Sequence, residues 1–128
     1  MRSGTPSKGL RMIQRILILA AGLCGAGGVA LSAEAAHGGG GNTSTAASFL
    51  LMHAPVFLAI GLTGANRLLC GGGLTLLVGL LVFAGDLLMR DHSGVRLFPM
   101  AAPASGMLLI AGWLIVAVSA FGKISRTD

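Results

Sequence analysis

Leu97 to Gly122, LFPMAAPASGMLLIAGWLIVAVSAFG, contains no Asp, Glu, Lys or Arg. A helix needs about 20 apolar residues to cross the ~30 Å hydrocarbon core of a bilayer, and this stretch is longer than that. Ile16 to Ala33, Ala46 to Ala65 and Leu68 to Gly85 are uncharged in the same way. A helix on the surface of a water-soluble domain keeps a polar face, whereas these segments are apolar on every side. The sequence predicts an all-α, integral membrane four-helix bundle with short loops. Its four-span domain covers 13–122, with spans at about 14–36, 46–65, 68–89 and 100–122. A disordered basic extension is expected over 1–12, where Met12 offers an alternative start, and a short cytoplasmic tail over 123–128.

Composition agrees with a lipid environment. Hydrophobic residues make up 54% of the chain and charged residues 10%, against roughly 25% charged in soluble domains. The net charge of +5 comes from basic residues that flank the spans. With no basic stripe interleaved with aromatics, nucleic acid is not an expected partner. The expected partners are the lipid bilayer and either a second copy of the chain or another membrane protein. Cys24 and Cys70 fall at different depths, and a disulfide requires Cα atoms within about 7 Å, so no bridge between them is expected.

Basic residues resist transfer across a membrane and so set orientation. Arg2, Lys8, Arg11, Arg15, Arg67, Lys123 and Arg126 share one side of a four-span arrangement, and Arg90 and Arg96 the other. This bias predicts that both termini lie on the cytoplasmic side. A rival reading takes the basic start, the apolar run and Ala33-Glu34-Ala35 as a cleaved secretory signal. Against it, the apolar run exceeds the usual 7–15 residues of such a signal.

Small residues carry the packing. Ala20, Cys24, Gly28, Ser32 and Ala36 recur every four residues along the first span, and such stripes let helices approach closely in lipid. Cys24, Gly28, Ser32, Gly106 and Gly112 are the expected packing positions. Gly38 to Thr45 reads as a flexible polar connection. Pro55 removes a backbone donor inside the second span, leaving the Leu51 carbonyl without its helical partner and His53 nearby to help satisfy it.

Four motifs occur in a recognisable order. ALSAEAAH at 30–37 looks like A-L-G-A-F-G-A-H, and Met52-His53-Ala54 looks like an aromatic-His-Ala start to the second span. FAGDL at 83–87 is similar to F-S-G-S-L, and PASG at 103–106 with LIAGW at 109–113 is similar to P-x-G-G followed by F-L-A-G-W. Together these resemble the YgdD-like family of small membrane proteins, of UPF0382 type, whose eukaryotic relatives are called transmembrane protein 256 and which is also termed domain of unknown function 423. The resemblance runs from about Arg15 to Phe121 and implies a four-helix inner-membrane protein without an assigned activity. The chain departs from the pattern at Glu34, where the family has Phe, at Asp86, where it has Ser, and at Ser32, Ala35 and Ser105, where it has Gly.

The topology predicts one polar layer toward the outer side, made of Glu34, His37, His53 and Asp86. Asp86 and Arg90 form an i, i+4 pair, and Glu34 and His37 an i, i+3 pair. Asp91 and His92 read as ordinary loop residues. Two carboxylates and two histidines suit cation binding or proton transfer, yet no spacing matches a metal motif, and no cofactor, metal or catalytic residue is expected. The leading functional expectation is a non-enzymatic structural, accessory or assembly protein. The alternative is a small oligomeric transporter, or a proton- or cation-binding protein, using that layer.

Overall fold

A computed structural model describes residues 7–124. Four helices follow one another: α1 (Lys8–Ala36), α2 (Gly41–Thr63), α3 (Arg67–Ser93) and α4 (Ala101–Ser119). Each is long and apolar enough to cross a membrane. The fold is an all-α, multi-pass membrane architecture. One end carries the start of α1, the end of α4 and the α2–α3 turn, and the other carries the α1–α2 and α3–α4 connections.

The boundaries differ from expectation at two helix starts. The basic segment from Lys8 to Met12 is helical, because the Ser7 hydroxyl accepts from the Leu10 N–H and caps α1. The rest of the expected disordered extension, 1–6, lies outside the described residues, as does the tail from 125 on. The second difference is at Gly41 to Thr45, which begins α2 instead of continuing a flexible connection. The partner that makes this possible comes from α3 and is described below.

Helices in lipid gain nothing from burying one apolar face against another apolar medium, so they associate where shape allows close contact. Glycines supply that shape. A methyl group built on Gly28 of α1 would come within 2.7 Å of Leu51 Cγ and 3.2 Å of the Leu51 nitrogen, so α2 lies directly against this point. Further along the same pair, Gly61 of α2 faces the Gln14 carbonyl and the Ile18 backbone. Between α3 and α4 the interlock is reciprocal: Leu76 fills the notch at Gly112, and Leu109 fills the notch at Gly79. Gly73 turns the other way, toward Leu17 of α1 and Ile60 of α2.

Of the expected packing positions, Cys24, Gly28 and Gly112 are buried. Ser32 and Gly106 are not. Ser32 lies on the exposed face of α1, since the stripe rotates away from α2 near the helix end. Gly106 has no atom within 4 Å of an added methyl group. Cys24 and Cys70 are free and buried.

The packing order is sequential. α1 lies on α2 with a smaller contact to α3, α2 on α3, and α3 on α4, while α4 has no backbone-level contact with α1 or α2. Long apolar side chains such as Leu19, Leu23, Leu81, Met107, Ile110 and Leu114 remain exposed around the outside, which is the surface presented to lipid.

The two glycines Gly28 and Gly22 test this account, since one is enclosed and the other meets nothing within 4 Å. Gly28→Leu should lower stability by about 1–3 kcal/mol, the usual range for overpacking. Gly22→Leu should leave it within about 0.5 kcal/mol of the parent, as surface changes generally do. Thermal unfolding of the purified protein in detergent measures both; equal melting temperatures would contradict the close contact at Gly28.

Candidate functional site

Polar side chains gather at the end that carries the α1–α2 and α3–α4 connections. They form three separate arrangements and not one layer.

The first arrangement caps α2 from another helix. The N-cap of α2 is Gly40, which has no side chain to satisfy the exposed N–H groups of the first turn. Asp91, in the last turn of α3, takes that role. Its Oδ2 accepts from the Thr43 N–H at 2.6 Å and from the Thr43 hydroxyl at 2.8 Å. A methyl group on Gly40 would collide with this carboxylate, at 2.5 Å from Oδ2. Gly40 is therefore the residue that leaves room for a cap supplied from α3. The negative charge also complements the positive end of the α2 dipole. Asp91 stands beyond the apolar span, and its pKa is lowered by the Thr43 hydroxyl first, then, against some desolvation, by the Thr43 N–H, the Asn42 side chain and neighbouring His92.

The second arrangement ties α1 to α3. Glu34 Oε1 and His92 Nε2 are 2.8 Å apart on the exposed surface, and His92 Nδ1 donates to the Leu88 carbonyl at 2.9 Å. The Leu88 carbonyl and then the Glu34 carboxylate hold the imidazolium, so the His92 pKa rises above the ordinary 6.5. Glu34 does not engage His37, its i, i+3 neighbour. The His37 ring turns back to the Ala33 carbonyl at 2.7 Å and stays exposed.

The third arrangement pins the α3–α4 connection. Asp86 is fully buried, and its Oδ1 accepts from the Leu97 N–H at 2.9 Å. Its other oxygen lies 2.9 Å from Arg90 Nη2, but too obliquely for a hydrogen bond, so the contact is an ion pair. The expected i, i+4 pairing is present. The carboxylate in addition holds a loop that turns into α4 through Met100, whose φ of 68° is left-handed. That conformation costs a non-glycine residue roughly 1–2 kcal/mol, and the Asp86 anchor offsets part of it.

His53 belongs to none of these. It lies about 18 Å from the α2 start at Gly41, at 1.5 Å per residue, because α2 begins earlier than expected. It lies near the middle of α2, farther from that end than Glu34 and Asp86 lie on their own helices. Its Nδ1 donates to the Phe49 carbonyl at 2.8 Å, and not to the Leu51 carbonyl that Pro55 leaves free. α2 continues unbroken through Pro55. Among the described residues no group of three or more His, Cys, Asp or Glu side chains could hold a metal ion.

A family model described as "Protein of unknown function (DUF423)" matches residues 25–106. The chain belongs to the DUF423 family. It is also similar to a UPF0382 membrane protein of Staphylococcus haemolyticus, 27% identical over 117 residues that cover 84% of this chain and 96% of the relative. No solved structure matches it. The DUF423 match takes in Glu34, Thr43, His53, Asp86, Asp91 and His92, and ends before Trp113.

Two residues that read as loop in the sequence, Asp91 and His92, are thus the ones that join α3 to α2 and α1. The charged run Met89-Arg90-Asp91-His92 continues the helix instead of ending it, since α3 closes only at Gly94, in a left-handed turn with φ 72°. A signal existed in Gly94, the residue most suited to that closing position.

The two shifted groups give stability limits on opposite sides of neutrality. Asp91 has a lowered folded pKa, so its contribution is complete above the ordinary carboxylate range and is lost as pH falls through the lowered value. His92 has a raised folded pKa, so its contribution is complete below 6.5 and is lost as pH rises through the raised value. The protection of the Thr43 amide against hydrogen exchange, relative to its intrinsic rate at the same pH, should fall in acid, while the α1–α3 contact weakens in mild alkali. Glu34→Gln should flatten only the alkaline side; an unchanged alkaline limb in that variant would rule out the Glu34–His92 pair as its source.

Proposed function

We propose that this DUF423 protein is a non-enzymatic, accessory or assembly component of the bacterial inner membrane, with both termini in the cytoplasm. The observation that carries the reading is the use made of its acidic side chains. Asp86, Asp91 and Glu34 each tie one helix end or loop to another. Ion-coupled transport uses an ionisable group that is free to change partners along a path, often deep in the bundle. Here the carboxylates sit near one end of the helices and are held by backbone N–H groups, a hydroxyl and basic partners. Conserving a rigid, lipid-facing helical unit with tied ends suits a protein whose work is to pack against others. The seven-to-two distribution of basic residues between the two sides supports the orientation.

The alternative, a small transporter or proton-binding protein, has one observation in its favour, the depth of His53. The two readings separate in reconstituted vesicles. Asp86→Asn and Glu34→Gln should lower the melting temperature without altering passive proton or sodium flux across proteoliposomes relative to the parent. A parent flux above that of empty vesicles and abolished by Asp86→Asn would favour the transporter. For orientation, a C-terminal reporter active only in the cytoplasm should be active, and one inserted at Gly39 should behave as exported; the reverse pair would invert the topology.

A further inference from the structure

Halfway along the helices, on the side where α4 leans on α3, a cavity of about 310 Å³ lies between α2, α3 and α4. Its walls are apolar and aromatic: Phe49, Met52, Phe83, Leu109, Ile110 and Trp113, with the bare backbone of Gly106. Two of its lining side chains carry polar atoms, His53, which is 2% exposed, and Trp113, whose indole N–H is a donor. Because a carbonyl only accepts, the Nδ1 that meets the Phe49 carbonyl carries the proton. The other ring nitrogen, Nε2, is buried without a partner. A buried polar atom left unpaired costs about 1–3 kcal/mol. The ring also has aromatic neighbours on several sides, with Trp113 at 5.7 Å, Phe49 at 6.0 Å and Phe57 at 6.2 Å between centroids.

We propose that this cavity is a binding site for a membrane-soluble phenol, a flat ring whose hydroxyl donates to His53 Nε2 and whose apolar tail extends into lipid. Three features select that chemistry. The unpartnered Nε2 calls for a ligand that brings a donor, which a phenol hydroxyl does. Walls formed by Trp113, Phe49 and Phe83 favour a ring over an acyl chain, since offset aromatic pairs add about 0.5–1.5 kcal/mol beyond area burial. The opening toward the flank of α4, where no further helix packs, admits ligands from the bilayer and not from water. Gly106 fits the same account: it lines the cavity, yet an added methyl group there would meet no atom within 4 Å. The space it leaves open is ligand space. The site requires no change in the accessory role proposed above and stands without it.

Trp113 is the only tryptophan in the chain, so its fluorescence reports on this cavity alone. The full-length protein in lipid nanodiscs is titrated with 4-butylphenol and, separately, with 4-butylanisole, the methyl ether that has the same ring and tail but no donor. Ligand is expressed per lipid to remove differences in partitioning. The phenol should change Trp113 emission saturably, and the ether should bind about tenfold more weakly, which corresponds to one hydrogen bond of about 1.4 kcal/mol. His53→Phe should bring the phenol down to the affinity of the ether. Gly106→Leu, a substitution that the open space accommodates, should abolish the response to both while leaving the melting temperature near that of the parent. Equal affinities for phenol and ether, an unchanged phenol affinity in His53→Phe, or unaltered binding in Gly106→Leu would each overturn the proposal.

Discussion

No water reaches the middle of a bilayer, so backbone groups there must be satisfied within the helix, and the unsatisfied groups are confined to helix ends. Most of the polar contacts between helices follow from that constraint. Helix interiors carry glycine, alanine and leucine and meet through shape alone, while the ends are joined by side chains that accept from orphan N–H groups or donate to orphan carbonyls. At the end that carries the termini, Asn66 caps α3 through the Leu69 N–H and also donates to the Ser119 carbonyl at the end of α4. Gln14 donates there to the Gly61 carbonyl in the last turn of α2. At the opposite end Asp91, Glu34 and Asp86 do corresponding work. The four helices are thus held in register at both faces, with glycine notches setting the distance between.

The division of labour explains why glycine is so abundant in a chain that has to form long helices. In water Gly72, Gly73 and Gly79 would weaken α3 by roughly 1 kcal/mol each relative to alanine. In lipid the helical hydrogen bonds have no competitor, so that loss is offset and the missing side chains become space for a neighbour. Gly72 and Gly79 receive α4, and Gly73 receives α1 and α2. α3 is consequently the one helix in contact with all the others. It also supplies Asp86, Asp91 and His92, so the same element sets both the lateral packing and the ties at one end.

How much of this was legible in the sequence depends on which force decides each feature. The spans were readable because hydropathy acts on whole segments. The stripe through Cys24 and Gly28 was visible in the helical spacing, since small residues on one face leave a periodic trace. Ser32 shares that spacing yet is exposed, because periodicity shows which residues share a face and not what faces them. Asp91 could not be read as a cap. Its partner Thr43 is 48 residues away, and the cue for an N-cap is a local Ser, Thr, Asp or Asn, which Gly40 replaces with empty space. The polar layer was misjudged for a related reason: placing the start of α2 at Ala46 moved His53 one turn too close to the surface.

His53 is the residue that this scheme of end-ties does not absorb. The other two histidines in the chain lie at helix ends, where His37 meets the Ala33 carbonyl and His92 the Glu34 carboxylate, both within reach of water. His53 is surrounded by Phe49, Phe57 and Trp113 at mid-depth, and its ring spends one nitrogen on a carbonyl that is already engaged in the helix. Its Nε2 is left without a partner inside the protein, and a donor brought by a ligand would supply one. That places the chemical interest of the molecule away from its charged end and in the apolar middle, on the flank where α4 leaves the bundle open.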